Sequence, residues 1–234
     1  MLTFKGLEVV AAAQLSGDKV LSQEIIDKVD IHESNRDRFG LGEGKQGRLV
    51  AKIFKFRLIY GGSAYSYAHD PDFTGVSSSE KFWQNVIDEY YKKYKGIAKW
   101  HDELLLTAMQ QGYIEIPTGR YFPFKPFRHS WPITKIKNYP VQGFGADLVK
   151  LARIKFYNDL LDSGMEGLFI GTVHDSLVVD TPEKNCYNVS MMLKNAIESV
   201  PSLCKHEWDY DFKLPLTCEI KVGKNKNEMT EIVL

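Results

Sequence analysis

Arg48, Lys52, Phe56 and Tyr60 recur every four residues in the segment RLVAKIFKFRLIYGG, 48–62. On an α-helix each step of four turns about 400°, so such side chains drift only slowly around one face. The stripe is cationic at its N-terminal end and aromatic at its C-terminal end. Its twelve-residue span covers roughly 18 Å at about 1.5 Å per residue. A nucleoside triphosphate has the same layout, with phosphates at one end and a flat base at the other. The helix N-terminus adds partial positive charge near the phosphate end. The spacing predicts a nucleotide-gripping helix. Basic and aromatic residues at this spacing equally describe a solvated face beside a packed edge, and the motif alone does not choose between them.

A second group with chemical potential is His174-Asp175-Ser176, between the apolar runs of GLFIGTVHDSLVVDT, 167–181. Strand, turn and strand place the acid at a sheet corner on firmly held backbone. Hard cations such as Mg²⁺ prefer carboxylate oxygen there. A turn-forming Asp beside a surface His is the plainer alternative. GEGKQG, 42–47, matches G-x-G-x-x-G literally, but the polar HESNRDRF before it is no strand, so a dinucleotide fingerprint is not expected. The glycines read instead as a mobile lead into the next helix.

The elements that must carry these groups follow from periodicity and punctuation. Residues 4–15 read as a strand running into a helix, and 18–30 as an amphipathic helix followed by Asp30-Ile31-His32. Residues 33–47 read as a polar loop before the 48–62 helix, and 61–79 as a second turn-rich segment. Ser78 or Ser79 would cap a helix over about 80–111. GYIEIPTGRYFPF, 112–124, reads as a hairpin turning at Pro117–Gly119. Residues 138–161 read as a loop and a long helix, 183–199 as another helix and 214–223 as a final strand. Helices and strands mix without regular βαβ alternation, which favours α+β.

Composition narrows the class. At 234 residues, 44% hydrophobic and 26% charged, the chain suits one large or two small globular domains. No apolar run approaches a membrane span, and no signal peptide opens the sequence, so no membrane partner is expected. Cys186, Cys204 and Cys218 are too widely spaced for a zinc site or redox pair and suit a reducing, cytoplasmic compartment. Thirty basic and thirty acidic residues cancel, so net charge does not announce nucleic-acid binding. The distribution is uneven: Lys45 to Tyr60 holds five basic residues and no acid, and YYKKYKGIAK, 90–99, is again basic and aromatic. Each is either a phosphate-tracking surface or a solvated helix.

Taken together, R-x3-K-x3-F-x3-Y-G at 48–61 resembles the fingers helix of family A DNA polymerases, the bacterial DNA polymerase I and phage replicase group. VHDS at 173–176 resembles their second carboxylate motif, and KGLEVVAAAQLSGD at 5–18 the first. DIH, 30–32, GYIEIPTGRYFPF, NYPVQGFGAD, 138–147, and LPLTCEIKVG, 214–223, fall in the family order. The resemblance covers essentially the whole chain. It implies an antiparallel palm sheet with helices (1–17 and 126–234) and mostly helical fingers (18–125), with no thumb or exonuclease domain in this chain. Arg48 and Lys52, assisted by His32, would bind the dNTP triphosphate. Phe56 would pack on sugar and base, Tyr60 would sit at the insertion site, and Glu8 would be a steric gate against a ribose 2′-hydroxyl. Asn138 and Gln142 would contact primer-template DNA, Gln142 through minor-groove acceptors common to all base pairs. Asp175 would bind catalytic metal, with His174 bracing its turn, in a site expected to hold two Mg²⁺ ions about 3.5–4 Å apart.

The chain departs from the pattern at two carboxylates. Thr3 stands where the resemblance implies an Asp, five residues before Glu8, and Ser176 stands for the Glu of His-Asp-Glu. A hydroxyl is a poor substitute for a carboxylate bridging two divalent cations. Three explanations compete: a split polymerase whose second polypeptide supplies thumb, exonuclease and the missing carboxylate; a truncated product; or an inactive DNA- or nucleotide-binding module of a replisome. The intact 4–18 motif favours the first, and a compact, divided gene suits a phage, with the protein then in the host cytoplasm. A single-subunit RNA polymerase would share the Arg-x3-Lys and Tyr-Gly elements, but Glu8 argues against admitting a 2′-hydroxyl.

Overall fold

The computed structural model describes residues 1–73 and 75–234. In chain order the elements are β1 (Leu2–Phe4), α1 (Leu7–Ser16), α2 (Lys19–Ile26), α3 (Ile31–Phe39), α4 (Gly44–Ile59), α5 (Ala64–Ala68), α6 (Glu80–Lys93) and α7 (Lys95–Gln111). There follow β2 (Tyr113–Glu115), β3 (Tyr121–Pro123), α8 (Ile133–Ser163), β4 (Leu168–Val173), β5 (Ser176–Asp180), α9 (Cys186–Glu198), α10 (Val200–Trp208), β6 (Cys218–Val222) and β7 (Thr230–Ile232). They divide into two compact units, residues 1–11, 117–119 and 142–234, and residues 12–116 and 120–141. The class is α+β, as expected.

The first unit is built on an antiparallel sheet in the order β4-β5-β1-β6-β7. Alternation along β1 sends Leu2 and Phe4 into the core and Thr3 to the other face. Leu2 registers with Leu177 of β5 and Ile220 of β6, so one apolar row crosses three strands. Helix α9 packs against β1 and β6 with Val189, Leu193, Ala196 and Ile197 buried. Phe144, Leu148, Ala152 and Phe156 of α8 are fully buried in register with a helical stripe.

The second unit is helical around an aromatic core. Phe54 of α4 contacts Phe39, Tyr67, Trp83 and Tyr90 at ring-centroid distances of 5.0–6.3 Å. A further apolar cluster joins Leu104 and Ala108 of α7, Ile114 of β2, Phe124 and Ile136.

Several elements differ from the sequence reading. The loop expected over 33–47 is mostly helix α3. Asp30 caps it through bonds from the His32 and Glu33 amides, and Gly40 closes it in the left-handed conformation. Its buried Ile31, Asn35 and Phe39 lie at spacing four, a stripe concealed among charges. Gly44 and Gly47 belong to α4 rather than leading into it. A Cβ on Gly47 would lie 2.5 Å from the Gly42 carbonyl carbon, so Gly47 serves close backbone packing against Gly42.

The single helix over 80–111 is two, broken at Tyr94 (φ −107°, ψ 71°). Buried Asp18 causes the break to pay twice: one carboxylate oxygen caps α2 at the Leu21 amide (2.8 Å), the other caps α7 at Gly96 (2.7 Å) and Ile97 (3.2 Å). Ser79 caps α6, as expected. Helix α8 begins at Ile133 and runs through Pro140, where a loop was expected. The proline removes one ladder donor, and buried Ile136, Val141 and Phe144 hold the helix across it. The turn-rich segment 61–79 includes Thr74, outside the described residues, and contains α5. α10 and β7 were not foreseen.

Candidate nucleotide and primer-end sites

The predicted stripe lies on the less buried face of α4. Gly47, Val50, Ala51, Phe54, Lys55 and Leu58 are buried behind it, whereas Lys52 is exposed and Arg48, Phe56 and Tyr60 are half-buried. Tyr60 is the helix C-cap residue. Arg48 reaches back to the cap of α3 and makes two 2.8 Å contacts with Asp30 Oδ2, from Nε and Nη2. Burial works against the Asp30 carboxylate, but Arg48 and the capping amides outweigh it and hold its pKa below the usual range.

His32 lies against this face, its ring 6.2 Å from that of Phe56. Burial first, then the charges of Lys55 and Arg48, push its pKa down to about 3, so the imidazole is neutral at physiological pH. Its Nδ1 is buried with no hydrogen-bond partner. Arg48, Lys52, His32 and Phe56 are therefore brought together, with one imidazole nitrogen uncommitted. Asn138, on α8, is half-buried and its Oδ1 also lacks a partner.

The other basic-aromatic stretch straddles the break between α6 and α7, with rings packed inward and lysines paired with acids. Tyr90, Tyr94 and Ile97 are buried, while Lys92, Lys93 and Lys99 pair with Glu89, Glu24 and Glu103.

In the first unit, Glu8 is a half-buried residue of the first turn of α1, and Gln142 is exposed on α8. His174 and Asp175 form a two-residue turn between Val173 and Ser176, which pair across β4 and β5. His174 takes φ +53°, a left-handed conformation that His tolerates better than most residues. The Asp175 carbonyl accepts a 3.1 Å bond from the Phe4 amide, tying the turn to the end of β1.

Thr3 and Ser176 are direct neighbours across β1 and β5, and their hydroxyls bond at 2.7 Å. Glu219 registers with Thr3 from β6, but its carboxylate is engaged by Lys221 at 2.6 Å. Among the described residues no three His, Cys, Asp or Glu side chains group as a metal site. The donors present, one turn carboxylate beside two hydroxyls that satisfy each other, do not fit a pair of divalent cations.

Sequence reasoning missed Asp30 as the counter-charge of Arg48, although an Asp opening a helical stripe is a cap signal. It also missed buried Asp147, which accepts from Thr118 Oγ1 at 2.8 Å and pairs with Lys150 at 3.4 Å.

No helix among the described residues is long and apolar enough to cross a membrane. The family model for DNA polymerase family A matches residues 2–228. The chain is 27% identical to DNA polymerase I of Chloroflexus aurantiacus over 240 residues, covering 99% of this chain and 24% of that protein. It is 28% identical to the thermostable DNA polymerase I of Thermus aquaticus over 235 residues, 96% and 26% of the two chains. To DNA polymerase I of Aquifex aeolicus it is 30% identical over 166 residues, 70% and 28%. The chain thus spans about a quarter of the length of these curated relatives. The POL domain of Pol1 from M. smegmatis, solved in complex with DNA primer-template and dNTP, superimposes with a TM-score of 0.78 at 20% identity over 93% of this chain and 38% of that one. That likeness bears on the fold, which is that of a polymerase palm with helical fingers. By the match along nearly its whole length, this chain belongs to DNA polymerase family A.

Proposed function

We propose that this chain is the palm-fingers part of a DNA-directed DNA polymerase, a cytoplasmic nucleotidyltransferase acting on primer-template DNA and dNTPs. Residues 1–11, 117–119 and 142–234 act as palm, and the helical unit acts as fingers. The observation that carries this reading is the α4 face, where Arg48, Lys52, His32 and Phe56 converge and His32 Nδ1 has no partner. Arg48 and Lys52 neutralise the triphosphate through charge-assisted bonds. Neutral His32, in the tautomer protonated at Nδ1, donates that N–H to a phosphate oxygen, while Phe56 and Tyr60 pack on sugar and base. Glu8 excludes a 2′-hydroxyl, and Asn138 and Gln142 position the duplex. The reaction class is in-line attack of the primer 3′-oxygen on the α-phosphate, in which orientation and charge neutralisation lower the barrier.

Two Mg²⁺ ions would supply charge neutralisation in a complete site, but among the described residues only the Asp175 carboxylate is assigned to them, with His174 bracing the turn. The reading therefore includes a second polypeptide carrying thumb and exonuclease and a further carboxylate. Strand β1 already fills the slot between β5 and β6, so such a partner brings its carboxylate over the sheet face rather than as a strand in that slot. The test is primer extension beside nucleotide binding. The purified chain is expected to bind dNTP and primer-template but extend little or nothing alone; vigorous extension by the chain alone would contradict the need for a partner, and absence of dNTP binding would contradict the whole reading.

A second reading is a polymerase-like DNA- or nucleotide-binding module without catalysis, favoured by the Thr3–Ser176 hydroxyl pair. Mn²⁺ binding followed by electron paramagnetic resonance separates the two. If Thr3 is the missing ligand position, Thr3→Asp tightens Mn²⁺ binding at least tenfold; no change favours the module.

A further inference from the structure

From residue 116 to residue 146 the sequence contains no Asp or Glu, yet it carries Arg120, Lys125, Arg128, Lys135 and Lys137. Within the helical unit, residues 120–141 of this stretch leave hairpin β2–β3, cross an exposed connection and begin α8. The connection makes a tight reversal in which the Phe127 and Ser130 amides each donate to the other residue's carbonyl, at 2.8 and 2.9 Å. Both central residues, Arg128 (φ +48°) and His129 (φ +65°), are left-handed and neither is glycine. Asn-Gly is what such a turn ordinarily selects. Here the chain holds a strained conformation with a cation and an imidazole at its tip.

Phe127 is 73% exposed, and the Arg128 guanidinium lies 5.3 Å from its ring centroid. Lys125, Arg128, His129 and Lys135 are exposed as well. On the outer face of the hairpin, Tyr113 and Tyr121 meet edge to face at 6.1 Å, with Tyr121 67% exposed. The inner face is spent differently, since Ile114 and Phe124 are buried in the apolar cluster with Leu104, Ala108 and Ile136. The exposed rings are thus not the loose edge of a core. Exposed Lys125, Arg128 and Lys135, in a segment without acids, accompany open aromatic faces, which is the chemistry that grips a single nucleic-acid strand: charge tracks phosphates, and rings stack on bases.

We propose that the 120–135 arm, with the Phe127–Arg128 tip as its anchor, is a binding surface for single-stranded DNA, built from residues other than those of the proposed nucleotide face of α4. The inference rests on the polymerase reading only in taking the strand to be DNA. Stacking on Phe127 accounts for the exposed ring, and phosphate contact by Lys125 and Arg128 accounts for the acid-free composition. A protein partner would instead leave affinity for oligonucleotide unaffected by these residues.

The test uses the full chain and a fluorescein-labelled oligo(dT), read by anisotropy over a salt series. Phe127→Ala is expected to weaken binding about tenfold, the worth of one stacked base. The double variant Arg128→Asn with His129→Gly installs the preferred turn dipeptide, so it is expected to unfold at the same temperature or higher, yet to bind more weakly with a salt slope reduced by about 1. Unchanged affinity and slope in both variants would overturn the inference, as would a parallel loss of dNTP affinity, which would make the tip's effect global. Failure of wild-type chain to bind dNTP would count against the polymerase reading while leaving the oligo(dT) comparison intact.

Discussion

At the residue scale, the proposed nucleotide face owes its character to where charges are parked. Arg48 is held by Asp30, the same side chain that caps α3. On the proposed reading, an incoming triphosphate would compete with that carboxylate for the guanidinium. Asp30→Asn keeps a good N-cap and removes the competing charge, so triphosphate affinity is expected to rise a few-fold in a fluorescence titration with little change in melting temperature. Directly behind the face, Lys55 is 1% exposed. Burial first, resisted by the attraction of Glu24 and Asp30, pushes its ammonium from 10.5 down to about 7. Between pH 7 and about 10 the unfolded chain therefore binds a proton that the folded chain does not, and stability rises with pH over that window. Glu24 keeps Lys93 at 2.8 Å and the Tyr94 hydroxyl at 2.7 Å without Lys55. Lys55→Met should accordingly flatten the rise and add roughly 1–4 kcal/mol at neutral pH, read from urea unfolding as a function of pH. An unaltered slope would show that Lys55 is not the group responsible.

At the element scale, one buried carboxylate sets two helix starts. Asp18 satisfies the amides of Leu21, Gly96 and Ile97. A Cβ on Gly96 would lie 2.5 Å from the Asp18 Cα, so the approach admits only glycine. Asp18→Ala is expected to cost about 2–4 kcal/mol, since caps on two helices are lost and buried amides are left unpaired; equilibrium denaturation measures it, and a loss below 1 kcal/mol would contradict the double cap. Such long-range capping explains what the sequence could not disclose. The break at Tyr94 depends on a residue 76 positions earlier in the chain, invisible to periodicity. Helix α3 was hidden because its apolar stripe has only Ile31 and Phe39 among charged residues. Helix α4 and the hairpins at 112–124 and 167–181 were legible because spacing of four and paired apolar runs are local signals. The chemistry at Thr3 was legible only as a gap; its bond to Ser176 required the strand register.

At the scale of the whole molecule, the ordered blocks that suggested the family correspond to a family match over residues 2–228. The proposed nucleotide face and the Asp175 turn belong to separate compact units, each with its own chemistry. The helical unit has a preformed cationic-aromatic face; the sheet unit has one turn carboxylate and two hydroxyls in mutual contact. Binding competence is therefore expected to outlast catalytic competence in the isolated chain. The most direct measurement is calorimetric titration of dNTP into wild-type chain and into Arg48→Ala and Lys52→Ala. A grip by the α4 face gives measurable wild-type binding that each substitution weakens by about 1.5–3 kcal/mol, roughly ten- to a hundredfold. Equal affinity in all three proteins would contradict it.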